Sequence, residues 1–378
     1  MRILIDGIRL TKKPDGVINI TISIINSLCL NFPNYELIIL TNNKLHPDVA
    51  SQLINSKNLI IVIKNTILFK NTGLYWSLFK LNSMIKKYKA DFFLEPNSII
   101  YPFFFPKKTK LILYIHDLVY LLYPKSMSII TKINMKLLQS YSINRADYFW
   151  VNSNYTKNEL LKYFKNQVKD KLIFSGSGIN HNFTISSKKD SSQVDDFQFI
   201  NKKYILFVGT QEPRKNITFL LNLFSQIKDE SYSLVIVGSN GWGKSNANIQ
   251  NIINSNNFPN DRVFFTGYVD NNQLISIYRS AYIFISTSLN EGLGLPQLEA
   301  MSQGIPVISP CNSAMEEVVS GAGVTIKSWE INDWLNGINE IEKNRFYYIN
   351  KGLERIKKYD WNEIVLNFNL QILKNNSK

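Results

Sequence analysis

At 378 residues the chain is long enough for two domains of about 100–200 residues each, and too long for one small module. Hydrophobic residues make up 45% and charged residues 19%, which excludes a mainly disordered chain. The net charge of +14 is uneven: residues 1–198 hold 26 Lys and Arg against 13 Asp and Glu, while residues 199–378 hold 17 against 16.

The predicted elements alternate along the chain. A short apolar strand over 2–6 ends in the loop DGIRLTKKPDG, and a helical pattern over 17–30 follows. Further strands are expected at 36–41, 59–63, 91–94, 111–115 and 148–151, with helices over 76–88 and 128–143. The polar, aperiodic stretch SSKKDSSQVDDFQF over 186–199 reads as a linker. Beyond it the alternation restarts, with strands at 204–209, 233–238, 263–266, 282–287 and 305–309, and helices at 216–227, 272–281 and 296–303. A helix-rich tail runs from about 329 to 374. Such alternation implies α/β architecture: two Rossmann-like, doubly wound parallel sheets facing across a cleft. The expected domains are 1–185, a linker at 186–199, 200–345, and a helical segment 346–378 packing back across both.

The chemistry concentrates in loops after strands. Asn290-Glu291-Gly292-Leu293-Gly294-Leu295-Pro296-Gln297-Leu298-Glu299 follows an apolar strand, and Pro296 suits the first position of a helix. Gly292 and Gly294 permit close backbone approach, so free amides there can hold an anion or sugar hydroxyls. Glu291 in the loop and Glu299 in the first turn can reach one bound molecule, and sugar hydroxyls donate well to carboxylates. Gly209-Thr210-Gln211-Glu212-Pro213-Arg214-Lys215-Asn216 lies between a strand and a helix for which Asn216 is a good N-cap. Arg214 and Lys215 stand just before the positive end of that helix, a placement that suits a diphosphate.

His116, followed by Asp117, ends the 111–115 strand and is a candidate for the opposite wall of the cleft. Gly238-Ser239-Asn240-Gly241-Trp242-Gly243-Lys244-Ser245 has the spacing of a P-loop, but the later strands end in VFFTG and YIFISTS without the Asp that would hold magnesium. The chain shows no nucleophile elbow, no metal-ligand cluster and no Asp-x-Asp pair, so no metal site is assigned. Aromatic and basic residues interleave at 69–88 and 101–110; they read either as anchors in an anionic leaflet or as a core helix with a solvated Lys face.

Together these segments resemble glycosyltransferase family 4, the retaining nucleotide-sugar enzymes of GT-B fold, and among them the bacterial mannosyl- and rhamnosyltransferases of surface-polysaccharide assembly. The resemblance extends over nearly the whole chain: the DGIR opening, HDL at His116, VNSNYT at Asn152, FVGTQEPRKN, VGSNGWG, FTGYV at Gly267, STSLNEGLGLPQLEAM, GIPVIS and SAMEEVVSGAG. It implies that Glu291 binds hydroxyls of the transferred sugar, with the amides of Gly292, Leu293, Gly294 and Leu295 beside it. It also implies that Glu299 binds the ribose and that Arg214 and Lys215, after Gly209, neutralise the departing diphosphate. Gly267, Tyr268 and Val269 would contact the base, His116 the reacting sugar, and Gly16 the donor from the first domain.

One departure stands in that first-domain loop. Many relatives have a Gly-Ile-Gly-Arg-Tyr type sequence where this chain has Gly16-Val17-Ile18-Asn19-Ile20, without the second glycine and the cation.

The implied donor is a nucleoside-diphosphate sugar, GDP-mannose first and a UDP- or dTDP-sugar second, with no cofactor required. The implied acceptor is a lipid-linked oligosaccharide of O-antigen type. No apolar run approaches the roughly 18 residues of a spanning helix, and Asp6 and Arg9 interrupt any signal-peptide core. The expected location is therefore cytoplasmic, peripheral on the inner face of the membrane through the basic N-terminal half, with no nucleic acid partner. A P-loop ATPase using Gly238–Ser245 and a nucleic-acid-binding protein are the competing readings.

Overall fold

The computed structural model describes residues 1–64, 76, 80–100, 105–123, 129–174, 176–183, 197–241, 245–256, 258–259 and 261–376. Two compact units emerge, Met1–Asn180 with Tyr359–Lys378, and His181–Lys358. The chain thus leaves the first unit at Asn180, earlier than the expected 185, and the second extends to Lys358 instead of 345. Most of the expected linker, 186–196, lies outside the described residues.

Unit 1 is built on a seven-stranded sheet of β1 (Arg2–Asp6), β2 (Glu36–Thr41), β3 (Leu59–Ile63), β4 (Phe92–Glu95), β5 (Lys110–Ile115), β6 (Tyr148–Val151) and β7 (Leu172–Phe174). Their order is β3-β2-β1-β4-β5-β6-β7, with every pairing parallel. Strands such as RILID and KLILYI are almost continuously apolar because helices cover both faces. The helix Gly16–Asn31 starts at Asp15, whose carboxylate accepts from the Ile18 amide.

Of the aromatic and basic segments, the described residues fit the core reading. Trp76 is fully buried, Phe105 is buried, and the helix Leu81–Tyr88 buries Leu81, Met84 and Ile85 while exposing Lys86 and Lys87. Residues 69–75, 77–79 and 101–104 lie outside the described residues.

Unit 2 has six parallel strands: β8 (Lys203–Val208), β9 (Tyr232–Val237), β10 (Val263–Gly267), β11 (Ile283–Ile285), β12 (Val307–Pro310) and β13 (Val324–Ile326). Their order is β10-β9-β8-β11-β12-β13. The tail divides between the units. Arg345–Ile356 packs on Leu295–Ser302, where Gly352 lies close against Met301. Trp361–Asn376 belongs to unit 1 and packs on Gly16–Asn31, with Asn31 donating to Asn362 at 2.8 Å and Tyr35 to Asn369 at 2.6 Å. The Ile179 amide donates to the Tyr359 carbonyl at 3.0 Å, so the departing and returning segments are joined.

The division also sorts the charge. Unit 1 carries 26 Lys and Arg against 12 Asp and Glu, and unit 2 carries 17 against 17, so the whole excess belongs to unit 1.

In unit 1 the order reverses between β1 and β4, and each ends in a buried carboxyl, Asp6 and Glu95. Asp6 accepts from the Ile8 amide at 2.9 Å and Glu95 from the Asn97 amide and side chain at 2.9 and 2.7 Å, and the charge of Asp6 is felt at Glu95. Burial pushes Asp6 up to about 6 and Glu95 well above the ordinary range. Since both values rise on folding, the folded chain holds the extra proton, and this stabilisation is present at low pH and lost as pH climbs through about 6. Asp6→Asn removes the buried charge and is expected to stabilise the protein by about 1–3 kcal/mol at pH 8. Thermal unfolding should show a midpoint a few degrees above wild type at pH 8 and no difference at pH 4. A midpoint equal to or below wild type at pH 8 contradicts a burial penalty on the Asp6 charge.

Candidate functional site

In unit 2 the strand order reverses between β8 and β11, and open α/β sheets bind ligands beyond the carboxyl ends at such a point. The loops leaving these two strands carry Gly209–Asn216 and Ser286–Gly294. Pro213–Lys215 forms a single 3₁₀ turn directly before the helix Ile217–Ser225. Asn216 occupies the N-cap position, but it sits at φ +51° and its side chain makes no capping bond, contrary to the expected cap. The left-handed residue instead turns the chain from the 3₁₀ turn into the helix.

The two loops are joined by their backbones. The Leu289 amide donates to the Arg214 carbonyl at 2.8 Å, and the Thr287 hydroxyl donates to the Lys215 carbonyl at 2.9 Å. The side chains are joined as well. Arg214 Nη1 donates to Glu291 Oε2 at 2.9 Å and to the Asn290 carbonyl, Arg214 Nη2 to Glu212 Oε1 at 2.6 Å, and Lys215 Nζ to Glu291 Oε1 at 2.5 Å. Burial alone would raise the Glu291 pKa, but Arg214 and Lys215 outweigh it and hold the carboxyl at about 2. Glu291 is therefore charged at any working pH, and its backbone amide is held by the Ser313 hydroxyl at 3.1 Å.

Gly294, at φ +99°, precedes the helix Leu295–Ser302, so the first amides of that helix have no intrahelical acceptor. Gly292, Leu293 and Gly294 are buried and Leu295 is half-buried. Glu299 lies one turn further into the helix than expected, is 9% exposed, and receives the Tyr278 hydroxyl on Oε2 at 2.9 Å. Burial pushes its carboxyl up to about 7, against the opposing effects of the Tyr278 hydrogen bond and the Lys215 charge. Lys215 thus contacts one acid directly and acts electrostatically on the other.

The base-contact candidates join the same edge. The Gly238 amide donates to the Gly267 carbonyl at 3.0 Å, and the Gln211 amide to the Ser239 carbonyl at 3.1 Å, so the loops after β8, β9 and β10 are tied in sequence. Tyr268 is 44% exposed and Val269 half-buried. A Cβ on Gly238 would lie 2.2 Å from the Gly209 carbonyl oxygen, and one on Gly241 2.4 Å from that of Gln211. In the P-loop-like segment these two glycines therefore serve the close approach of loops; Trp242–Lys244 lie outside the described residues.

His116 and Gly16 belong to unit 1. His116 Nε2 lies 2.6 Å from the Pro96 carbonyl oxygen and donates to it, which leaves Nδ1 as the acceptor. Burial lowers its pKa, and the charges of Asp117, Arg9 and Asp15 are felt at the ring. Asp15 directly precedes Gly16, so His116 and the start of the Gly16–Asn31 helix share one edge of the sheet. Arg9, paired to Asp15 at 2.5 Å, brings to that edge a cation that the loop after Gly16 lacks.

Four residues escaped the sequence reading: Glu212, Ser313, Tyr278 and Arg9. Glu212, Ser313 and Arg9 stand within motifs quoted above, GTQEPRKN, SAMEEVVSGAG and DGIR, but no local pattern gives them these partners; Tyr278 lies outside every quoted motif.

Residues 191–360 match the family described as glycosyl transferases group 1. The chain is 29% identical over 187 residues to O-antigen chain mannosyltransferase B of Escherichia coli, covering 48% of each chain. It is 27% identical over 231 residues to O-antigen chain mannosyltransferase RfbU of Salmonella typhimurium, covering 61% of this chain and 60% of that one. The matches thus span about half to three fifths of these curated relatives. HepE of Anabaena, solved in complex with UDP-glucose, shares the fold with a TM-score of 0.70 at 17% identity over 100% of this chain and 99% of that one. The architecture is GT-B.

Proposed function

We propose, from the glycosyl transferases group 1 domain that the chain carries over residues 191–360, that it is a retaining glycosyltransferase moving a hexose, mannose first, from a nucleoside-diphosphate sugar to a lipid-linked oligosaccharide. The observation that carries this reading is the contact of Arg214, Lys215 and Glu291 at the β8–β11 switch point, with Glu299 in electrostatic reach of Lys215. Leaving-group departure builds negative charge on the diphosphate, and two preorganised cations in a largely buried site stabilise it by several kcal/mol. Glu291, always charged, accepts hydroxyls of the sugar, while Glu299 receives those of the ribose. Neutral His116 offers Nδ1 to a hydroxyl of the reacting sugar. Attack on the face that the diphosphate vacates retains the configuration without a protein nucleophile.

Mannose is supported by the names of the two O-antigen relatives, and GDP is the corresponding base carrier; UDP and dTDP sugars are the next candidates. Unit 1 suits an anionic membrane surface. It holds the entire charge excess, and its helix Ile129–Arg145 exposes Ile133 and Leu137 beside Lys132 and Lys136. Among the described residues no helix is long and apolar enough to cross a membrane, so the proposed attachment is peripheral. Calorimetric titration with GDP, UDP and dTDP tests the donor: one of them should bind and raise the unfolding temperature, and its sugar conjugate should be consumed with an extracted lipid-linked acceptor. Binding of none of the three contradicts the reading.

A further inference from the structure

We propose that Tyr278 is the positioning residue of the ribose site: its hydroxyl fixes one oxygen of the Glu299 carboxylate so that the other meets a ribose hydroxyl. The proposal rests on the reading of Glu299 as the group that binds ribose. Tyr278 lies on the helix Asn271–Ser280 and Glu299 on Leu295–Ser302, and the hydroxyl reaches Oε2 at 2.9 Å and the Pro296 carbonyl at 3.3 Å. The ring is fully buried and has little freedom to turn. Phe183 meets it edge-on at 5.7 Å, Phe284 lies tilted at 6.0 Å, and Gln303, at the end of the Glu299 helix, holds the Phe183 carbonyl at 2.8 Å.

The direction of the bond is fixed too. Burial and the neighbouring Glu299 charge keep the Tyr278 pKa well above its ordinary value, so the phenol remains the donor and the carboxylate the acceptor. A carboxylate receives two hydroxyls strongly only when ionised. Glu299 titrates at about 7, and the titratable groups acting on it are Tyr278 from its own side of the sheet edge and Lys215 from the 3₁₀ turn, both favouring the charged form. Without the phenol hydroxyl the carboxyl holds its proton to higher pH, and the acceptor for ribose weakens at neutrality.

The test is calorimetric titration of wild type, Tyr278→Phe and Glu299→Gln with GDP and UDP and with their 2′-deoxy and 3′-deoxy forms, from pH 6 to 9. Wild type should bind a ribonucleotide more tightly than at least one deoxy form, with affinity rising through about pH 7. Tyr278→Phe should weaken ribonucleotide binding five- to tenfold at pH 7, move the rise to higher pH, raise KM with little change in kcat, and discriminate ribose from deoxyribose less. A wild-type pH profile in Tyr278→Phe, or equal weakening for ribo and deoxy forms, overturns the positioning role. Wild-type affinity in Glu299→Gln, or failure of both ribonucleotides to bind wild type, overturns the ribose reading itself.

Discussion

Lys215→Ala is expected to lower hexose transfer about 10³-fold, since a single preorganised donor to a developing oxyanion is worth about 10²–10³ in turnover and Lys215 also neutralises buried acids. Its ammonium contacts Glu291 and acts on Glu299, and it is only 8% exposed, so water cannot replace it fully. Lys215→Arg should not restore activity. Lys215 Nζ meets Glu291 Oε1 at 2.5 Å as a compact point charge, and a planar guanidinium on a longer stem does not reproduce that contact. Steady-state transfer with the donor identified by titration measures both variants. Turnover within tenfold of wild type in Lys215→Ala contradicts the site assignment.

Glu291→Gln should divide binding from transfer. In the structure the carboxylate pairs with both Arg214 and Lys215, so a diphosphate approaching those cations competes with an internal anion. The isosteric amide removes that competition. Nucleoside diphosphate should bind about tenfold tighter, while transfer falls at least about 10²-fold because the charged acceptor for sugar hydroxyls is gone. Lys215 then lacks its direct counterion, so the free variant should unfold at lower temperature and recover on addition of nucleotide. Glu291→Ala is less informative, as it adds a void to the unpaired charge. Loss of nucleotide affinity in Glu291→Gln would place the carboxylate among the nucleotide contacts instead of opposite them.

The strands were legible where a run of apolar residues met a polar loop, as in 2–6, 36–41 and 59–63, which coincide with β1, β2 and β3. The three-residue strands Leu172–Phe174 and Val324–Ile326 were not, because so short a run carries no period. The N-cap at Asn216 failed for a similar reason: side-chain preference indicates a position, whereas the left-handed backbone there is imposed by the 3₁₀ turn before it. The aromatic and basic segments were ambiguous because Trp76 and Phe105 look alike in sequence whether they face lipid or core, and burial alone separates the two.

What the chain determined by itself was the alternation of strands and helices and the residues placed after each strand, since both are local patterns of polarity, glycine and charge. Only the tertiary structure decided the partners. Arg214 and Lys215 meet a glutamate 77 and 76 positions away, Tyr278 reaches across two helices to Glu299, and the final helix returns to unit 1. The pairing of Arg214 and Lys215 with Glu291 depends on the strand order β8-β11, which sets their sequence-distant loops side by side, and on the exclusion of water that makes charge pairing between them strong.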